Sequence, residues 1–122
     1  MSLQVCRMRA KEKYLKTIYN LTSSGEETTK TKQVSENLNV SNASASEAVQ
    51  KLEDDKLVCR VPYKGFTLSS PGKKLGRELR EKNQKLKKIF RKAEVEYPEA
   101  EAEKVENHIS SEAVEKILGK LD

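Results

Sequence analysis

Behind Ser41 the apolar residues Ala45, Ala48, Val49 and Leu52 fall at i, i+3, i+4 and i+7, and a compact β-branched run, residues 57–61, follows closely. That succession constrains the fold more than any other feature. A helix with one apolar face must bury it, and a strand directly after it leaves room only for a small mixed unit. Ser41 suits the N-cap, because its hydroxyl can accept from an amide of the first turn. Upstream, Tyr14, Leu15, Ile18, Tyr19 and Leu21 recur at helical spacing within residues 11–21, and the polar stretch 22–29, with Ser23-Ser24-Gly25, reads as a loop. Residues 30–38 form a short helix with Val34 and Leu38 four apart, broken by Asn39-Val40-Ser41-Asn42. After residues 57–61, Pro62-Tyr63-Lys64 leads into residues 65–68, which predicts a hairpin with a basic tip. Helix, loop, helix, tight turn, helix, hairpin is the order of a winged helix-turn-helix. The expected class is mainly α with a small β-hairpin, an α+β arrangement.

Downstream, Ser70-Pro71 reads as an N-cap with Pro at the first helical position of a long helix reaching about Val95, its stripe Leu75, Leu79, Leu86, Phe90 and Ala93. Pro98 opens a helix to about His108, and Ser110 caps a last one with Val114, Ile117, Leu118 and Leu121 at i, i+3, i+4 and i+7. These signals divide the chain into a reading head at 1–70, a connecting helix at 71–95 and a helical dimerisation segment at 96–122. Hydrophobic and charged residues each make up 35% of the 122, a thin core that favours an oligomer. Val105, Ile109, Val114, Ile117, Leu118 and Leu121 sit on short helices unable to bury one another fully, and are the expected homodimer interface.

Charge is divided along the chain. Residues 1–92 hold 21 Lys and Arg against 10 Asp and Glu, while residues 93–122 hold 3 against 9. A basic body with an acidic end fits a polyanion partner, although a solvated surface would show the same totals. The first turns of the third helix carry Ser41, Asn42, Ala43, Ser44 and Ser46, small or hydrogen-bonding side chains of the kind that enter a major groove. Lys30, Lys32, Lys51, Tyr63 and Lys64 flank them. Taken alone, Ser41 is only a cap and the serines an exposed face; the neighbouring elements favour double-stranded DNA as partner. No apolar run of membrane length and no secretory signal is expected to direct the chain away from the cytosol. Cys6 and Cys59 have no disulfide or zinc spacing and read as half-buried thiols. There is no Ser/His/Asp set, Cys/His pair or Gly-rich phosphate loop, since Gly65 and Gly72 fall at turns, so no enzyme is expected.

Residues 12–21, Val34-Ser35-Glu36-Asn37-Leu38, residues 49–58 and Leu68-Ser69-Ser70-Pro71-Gly72-Lys73 resemble the diphtheria-toxin-repressor family, specifically its shorter manganese-transport-regulator branch. The likeness spans nearly the whole chain and is most specific in the first 75 residues. It implies a homodimeric repressor with a winged helix-turn-helix and a helical dimerisation domain, ending before a third, SH3-like domain. It implies that Ser41, Ala43, Ser44 and Ser46 contact operator DNA, and that Mn²⁺ or Fe²⁺ acts as co-repressor.

The metal positions depart from that pattern. By resemblance they are Lys13 and Lys16 on the first helix, Asn83 on the connecting helix, and Glu103, Glu106 and Asn107 beyond it. Only Glu103 and Glu106 remain as residual ligands. Two carboxylates without imidazole make a weak site, and two ammonium groups repel a cation. No bound cofactor is expected, and Lys13 and Lys16 facing Glu103 and Glu106 is the expected replacement for the ion. His108 stands one residue past the family position, rotated by about 100° on a helix, and reads as a surface or capping group or as part of an improvised site with Glu103, Glu112 or Cys6. Two other readings stay open: a metal-responsive repressor with a remodelled site, and a winged helix controlled by an organic ligand or used for protein contact.

Overall fold

The computed structural model describes residues 3–122, with side chains from residue 10 onward. Cys6 therefore lies outside the described side chains. The chain separates into two compact units, Met1–Arg77 and Glu78–Asp122.

The first unit contains α1 (Leu3–Leu21), α2 (Thr31–Leu38), α3 (Asn42–Asp54), β1 (Val58–Val61), β2 (Gly65–Leu68) and the start of α4 (Ser70–Lys92). Its core takes one face from each helix: Leu15, Ile18 and Tyr19 of α1, Val34 of α2, and Ala45, Val49 and Leu52 of α3. Val58, Phe66 and Leu68 close it from the hairpin. Burying a large aliphatic or aromatic side chain here is worth about 1.5–3 kcal/mol, which outweighs the modest helix propensity of α2 and α3. The unit is a winged helix, mainly α with one small antiparallel hairpin.

The hairpin is held on two sides. β1 and β2 pair antiparallel, with Val58 opposite Leu68 and Val61 opposite Gly65. On its other edge Phe66 exchanges two backbone hydrogen bonds with Thr29, each 2.9 Å. Gly65, at φ +103°, lies against this bridge, where an added Cβ would stand 2.2 Å from the Thr29 carbonyl oxygen. Only glycine fits there. The loop before Thr29 is anchored by Thr22, fully buried, whose hydroxyl donates to the Ile18 carbonyl at 2.6 Å and accepts from the Gly25 amide at 3.1 Å.

Several boundaries differ from the sequence expectation. α1 begins at Leu3 rather than near Lys11. The cap of α4 is Ser69, one residue earlier than expected: its Oγ accepts from the Gly72 amide at 3.2 Å, and Ser70 is already helical. Gly72 is not at a turn but in the first turn of α4, packed so closely that a Cβ would meet the Leu57 carbonyl oxygen at 2.0 Å. Cys59 is exposed, not half-buried, because it alternates outward from Val58 on β1.

The second unit is built from the rest of α4 with α5 (Pro98–Val105) and α6 (Ser111–Leu121). Pro98 stands at the start of α5, and Ser110 caps α6 by accepting from the Ala113 amide at 3.1 Å. Leu86, Ile89, Ala102 and Val114 form its core, with Phe90, Ile109 and Leu118 packed on the edge. The buried stripe of α4 thus runs through Leu79, Asn83, Leu86 and Ile89; Ala93, expected in it, is exposed. α5 ends at Val105, so Glu106, Asn107 and His108 lie in the following turn, where His108 is not set by a helical rotation of about 100° per residue.

Candidate nucleic-acid interface

The turn between α2 and α3 is built for a fixed angle. Asn39 ends α2 in the left-handed region, at φ +54°, while the Val40 amide reaches back to the Ser35 carbonyl at 3.0 Å. Ser41 then opens α3: its Oγ accepts from the Ser44 amide at 3.1 Å and donates to the Ser44 hydroxyl at 2.9 Å. Ser35 is buried, and its hydroxyl lies 2.7 Å from Asn42 Oδ1 and 2.9 Å from the Lys32 carbonyl. Asn42 is therefore engaged in joining the two helices.

With Ala45, Val49 and Leu52 turned inward, the opposite face of α3 is exposed, and it presents Ala43, Ser44 and Ser46 to solvent. Ser44 accepts from Ser41 and so keeps its own hydroxyl proton for an external acceptor. Glu47 and Gln50 share this face, at i+4 and i+7 from Ala43, and attention to the first turn alone misses them. Glu47 pairs with Lys51 at 3.4 Å, and Gln50 donates to Asp54 at 3.1 Å.

Lys30, Lys32 and Lys51 are exposed, and Lys30 lies beside the wing, its Cγ 3.0 Å from where a Gly65 Cβ would stand. At the wing tip the Lys64 amide bonds the Val61 carbonyl at 3.1 Å, closing a turn over Pro62 and Tyr63. Tyr63 holds a left-handed backbone, φ +66°, and its side chain is fully exposed at 101%. An aromatic residue in that conformation costs about 1–2 kcal/mol, with no burial in this chain to offset it.

The positions that the resemblance assigns to a cation carry a different chemistry. Lys13 is exposed and Lys16 half-buried on α1; Glu103 is exposed on α5 and Asn107 half-buried in the turn after it. Asn83 and Glu106 are buried, and Asn83 Nδ2 donates to Glu106 Oε2 at 2.6 Å. Among the described residues no three of His, Cys, Asp or Glu come together. Two lysines, an amide that turns its nitrogen to Glu106, and two carboxylates without imidazole do not fit a divalent ion.

Of the six apolar residues expected at a dimer contact, Val114 is fully buried within its own chain. Val105, Ile109 and Leu118 are half-buried, and Ile117 and Leu121 are exposed at 42% and 46%. Nearby, the Arg91 guanidinium bonded to Glu99 at 2.6 Å holds that carboxyl below its ordinary range. The Lys92 ammonium, 2.7 Å from Asp122, does the same there. No helix among the described residues is long and apolar enough to cross a membrane.

Comparison with known proteins agrees with this geometry. Residues 8–66 match the family described as iron dependent repressor, N-terminal DNA binding domain. Over 108 residues the chain is 32% identical to the HTH-type transcriptional regulator MntR of Oceanobacillus iheyensis, spanning 87% of this chain and 73% of that protein. The solved structure of the manganese regulator SloR superposes with a TM-score of 0.75 at 33% identity, over 91% of this chain and 53% of SloR. ScaR with bound Zn²⁺ superposes at 0.76 with 27% identity, over 92% of this chain and 53% of ScaR. The chain thus spans about half the length of these two solved structures. The chain belongs to the diphtheria-toxin-repressor family of metal-dependent transcriptional regulators, on its manganese-transport-regulator branch.

Proposed function

We propose that this protein is a cytoplasmic, sequence-specific operator-binding regulator, a repressor by kinship, that acts as a homodimer. The observation that carries the reading is the exposed face of α3, capped at Ser41, in a unit that also exposes Lys30, Lys32, Lys51 and the Tyr63–Lys64 wing tip. Ser44, Ser46 and Gln50 can hydrogen-bond base edges, and the lysines neutralise phosphates on either side. Asn42 holds the reading helix through Oδ1 and can still offer its amide nitrogen outward.

A second copy pairs through Ile117 and Leu121, with Val105, Ile109 and Leu118 at the margin. Twofold symmetry then calls for a palindromic operator with half-sites about 34 Å apart, or a multiple of that.

The co-repressor is the finer question. The donor chemistry supports binding without a divalent ion, since lysines stand at 13 and 16 and an asparagine at 83, at positions the resemblance assigns to metal. Kinship with a manganese regulator favours the other reading, a Mn²⁺ or Fe²⁺ response through a remodelled site. Selection of bound duplexes from a random pool, in EDTA and in Mn²⁺, separates them. Enrichment of one palindrome in both conditions is the expected result. Enrichment only with Mn²⁺ rejects the metal-free reading, and no enrichment in either rejects operator recognition.

A further inference from the structure

Within the second unit α4 holds the turn between α5 and α6 by two side-chain ties. Asn83, set between Leu79 and Leu86 in the buried stripe and only 7% exposed, donates from Nδ2 to Glu106 Oε2 at 2.6 Å. Its neighbour Lys82 donates from Nζ to the Ile109 carbonyl at 3.1 Å. The two bonds grip the turn near its start and its end. A polar residue inside an apolar stripe is costly unless its partner is fixed, and a carboxylate at 8% exposure needs donors.

We propose that Asn83, Glu106, Lys82 and Ile109 form a metal-free joint that fixes the α5–α6 turn on α4 whether or not a divalent cation is present. The inference deepens, and rests on, the metal-free reading of the regulator. The bond direction is settled by chemistry. An ionised carboxylate only accepts, so the Asn83 amide must face it with nitrogen. Asparagine ligates a cation through oxygen. To admit an ion at Glu106, the amide would have to turn, breaking a buried charge-assisted bond and setting Oδ1 against the carboxylate. The joint thus occupies the place of a ligand and opposes its use as one.

Hydrogen exchange of the full chain, in EDTA and in Mn²⁺, tests this at the amides of residues 106–110. In the native sequence protection should agree within about twofold between the two conditions. Asn83→Ala should speed exchange there by about tenfold or more, the equivalent of about 1.4 kcal/mol, and lower Tm by several degrees. Lys82→Met, on a half-buried side chain, provides a milder variant and should speed exchange at the His108 amide, which bonds the Val105 carbonyl at 2.8 Å. A tenfold gain of protection on adding Mn²⁺ to the native chain would overturn the joint, as would unchanged exchange in both variants. No DNA enters the measurement. Failure here therefore leaves operator recognition standing, and metal-dependent operator selection alongside metal-independent protection would reject the regulatory reading while retaining the joint.

Discussion

Ser35 and Asn42 meet across the helix-turn-helix, with the buried Ser35 hydroxyl 2.7 Å from Asn42 Oδ1. The contact links the last turns of α2 to the first residue of α3, so the angle at which α3 leaves the turn depends on it. Ser35→Ala leaves the Asn42 side chain without this partner and should cost about 1 kcal/mol of unfolding free energy. Operator affinity should fall by more than that loss of folded protein explains. Urea unfolding and fluorescence anisotropy on one preparation check both; loss of stability without loss of affinity in the folded fraction contradicts the orienting role.

Tyr63 gives a prediction of opposite signs. Asparagine tolerates the left-handed region better than an aromatic residue, so Tyr63→Asn should stabilise the protein by about 0.5–1 kcal/mol and raise Tm. The same change should weaken operator binding, because the exposed ring is lost. A stabilised variant with undiminished affinity removes Tyr63 from the interface.

Lys64→Ala and Ser44→Ala should separate positioning from reading. The first should weaken binding about equally on all duplexes and reduce the salt slope by about 0.9. The second should change the preferred sequence, since it removes the hydroxyl proton that α3 offers outward. Binding to a panel of single-base operator variants at two salt concentrations distinguishes the patterns.

On α6, depth decides the outcome. Val114→Ala opens a fully buried site and should cost about 2 kcal/mol. Ile117→Ser with Leu121→Ser should leave subunit stability within about 1 kcal/mol and raise the dimer dissociation constant at least about tenfold. Sedimentation velocity over a concentration series reads the second effect.

Acid sensitivity follows from two surface pairs. Glu99 and Asp122 are held below their ordinary values of 4.5 and 3.8, first by hydrogen bonds from Arg91 and Lys92. A lowered folded value means stabilisation present above the unfolded value and lost as pH falls through the folded one. Arg91→Ala should remove this small contribution at neutral pH, flatten part of the stability slope below about pH 4.5, and leave the stability at still lower pH nearly unchanged. Both carboxylates are exposed, so added salt should diminish the effect.

Elements announced by their own residues were legible in the sequence. Ser41 and Ser110 cap as their hydroxyls suggest, and the inward sets of α3 and the hairpin follow from periodicity. Helix ends were less legible, because α4 ends at Lys92 and the chain turns away at Glu94 in the left-handed region, φ +58°, where no glycine marks it. The serine pair at 69 and 70 conceals which residue caps α4. Asn83 looks like an interruption of the stripe until Glu106, 23 residues on, is placed against it. Asn42 carries the chemistry of a base reader, and only the position of Ser35 shows that its Oδ1 is already engaged.

The Thr29–Phe66 bridge fixes which parts of the hairpin can vary. Below Gly65 both edges of β2 are tied, one to β1 and one to the loop before α2, so a residue added there would tear a seam on each side. Above it, Pro62 to Lys64 are bound by a single backbone bond. The tip can therefore be lengthened or recomposed by substitution or insertion while its root keeps its size.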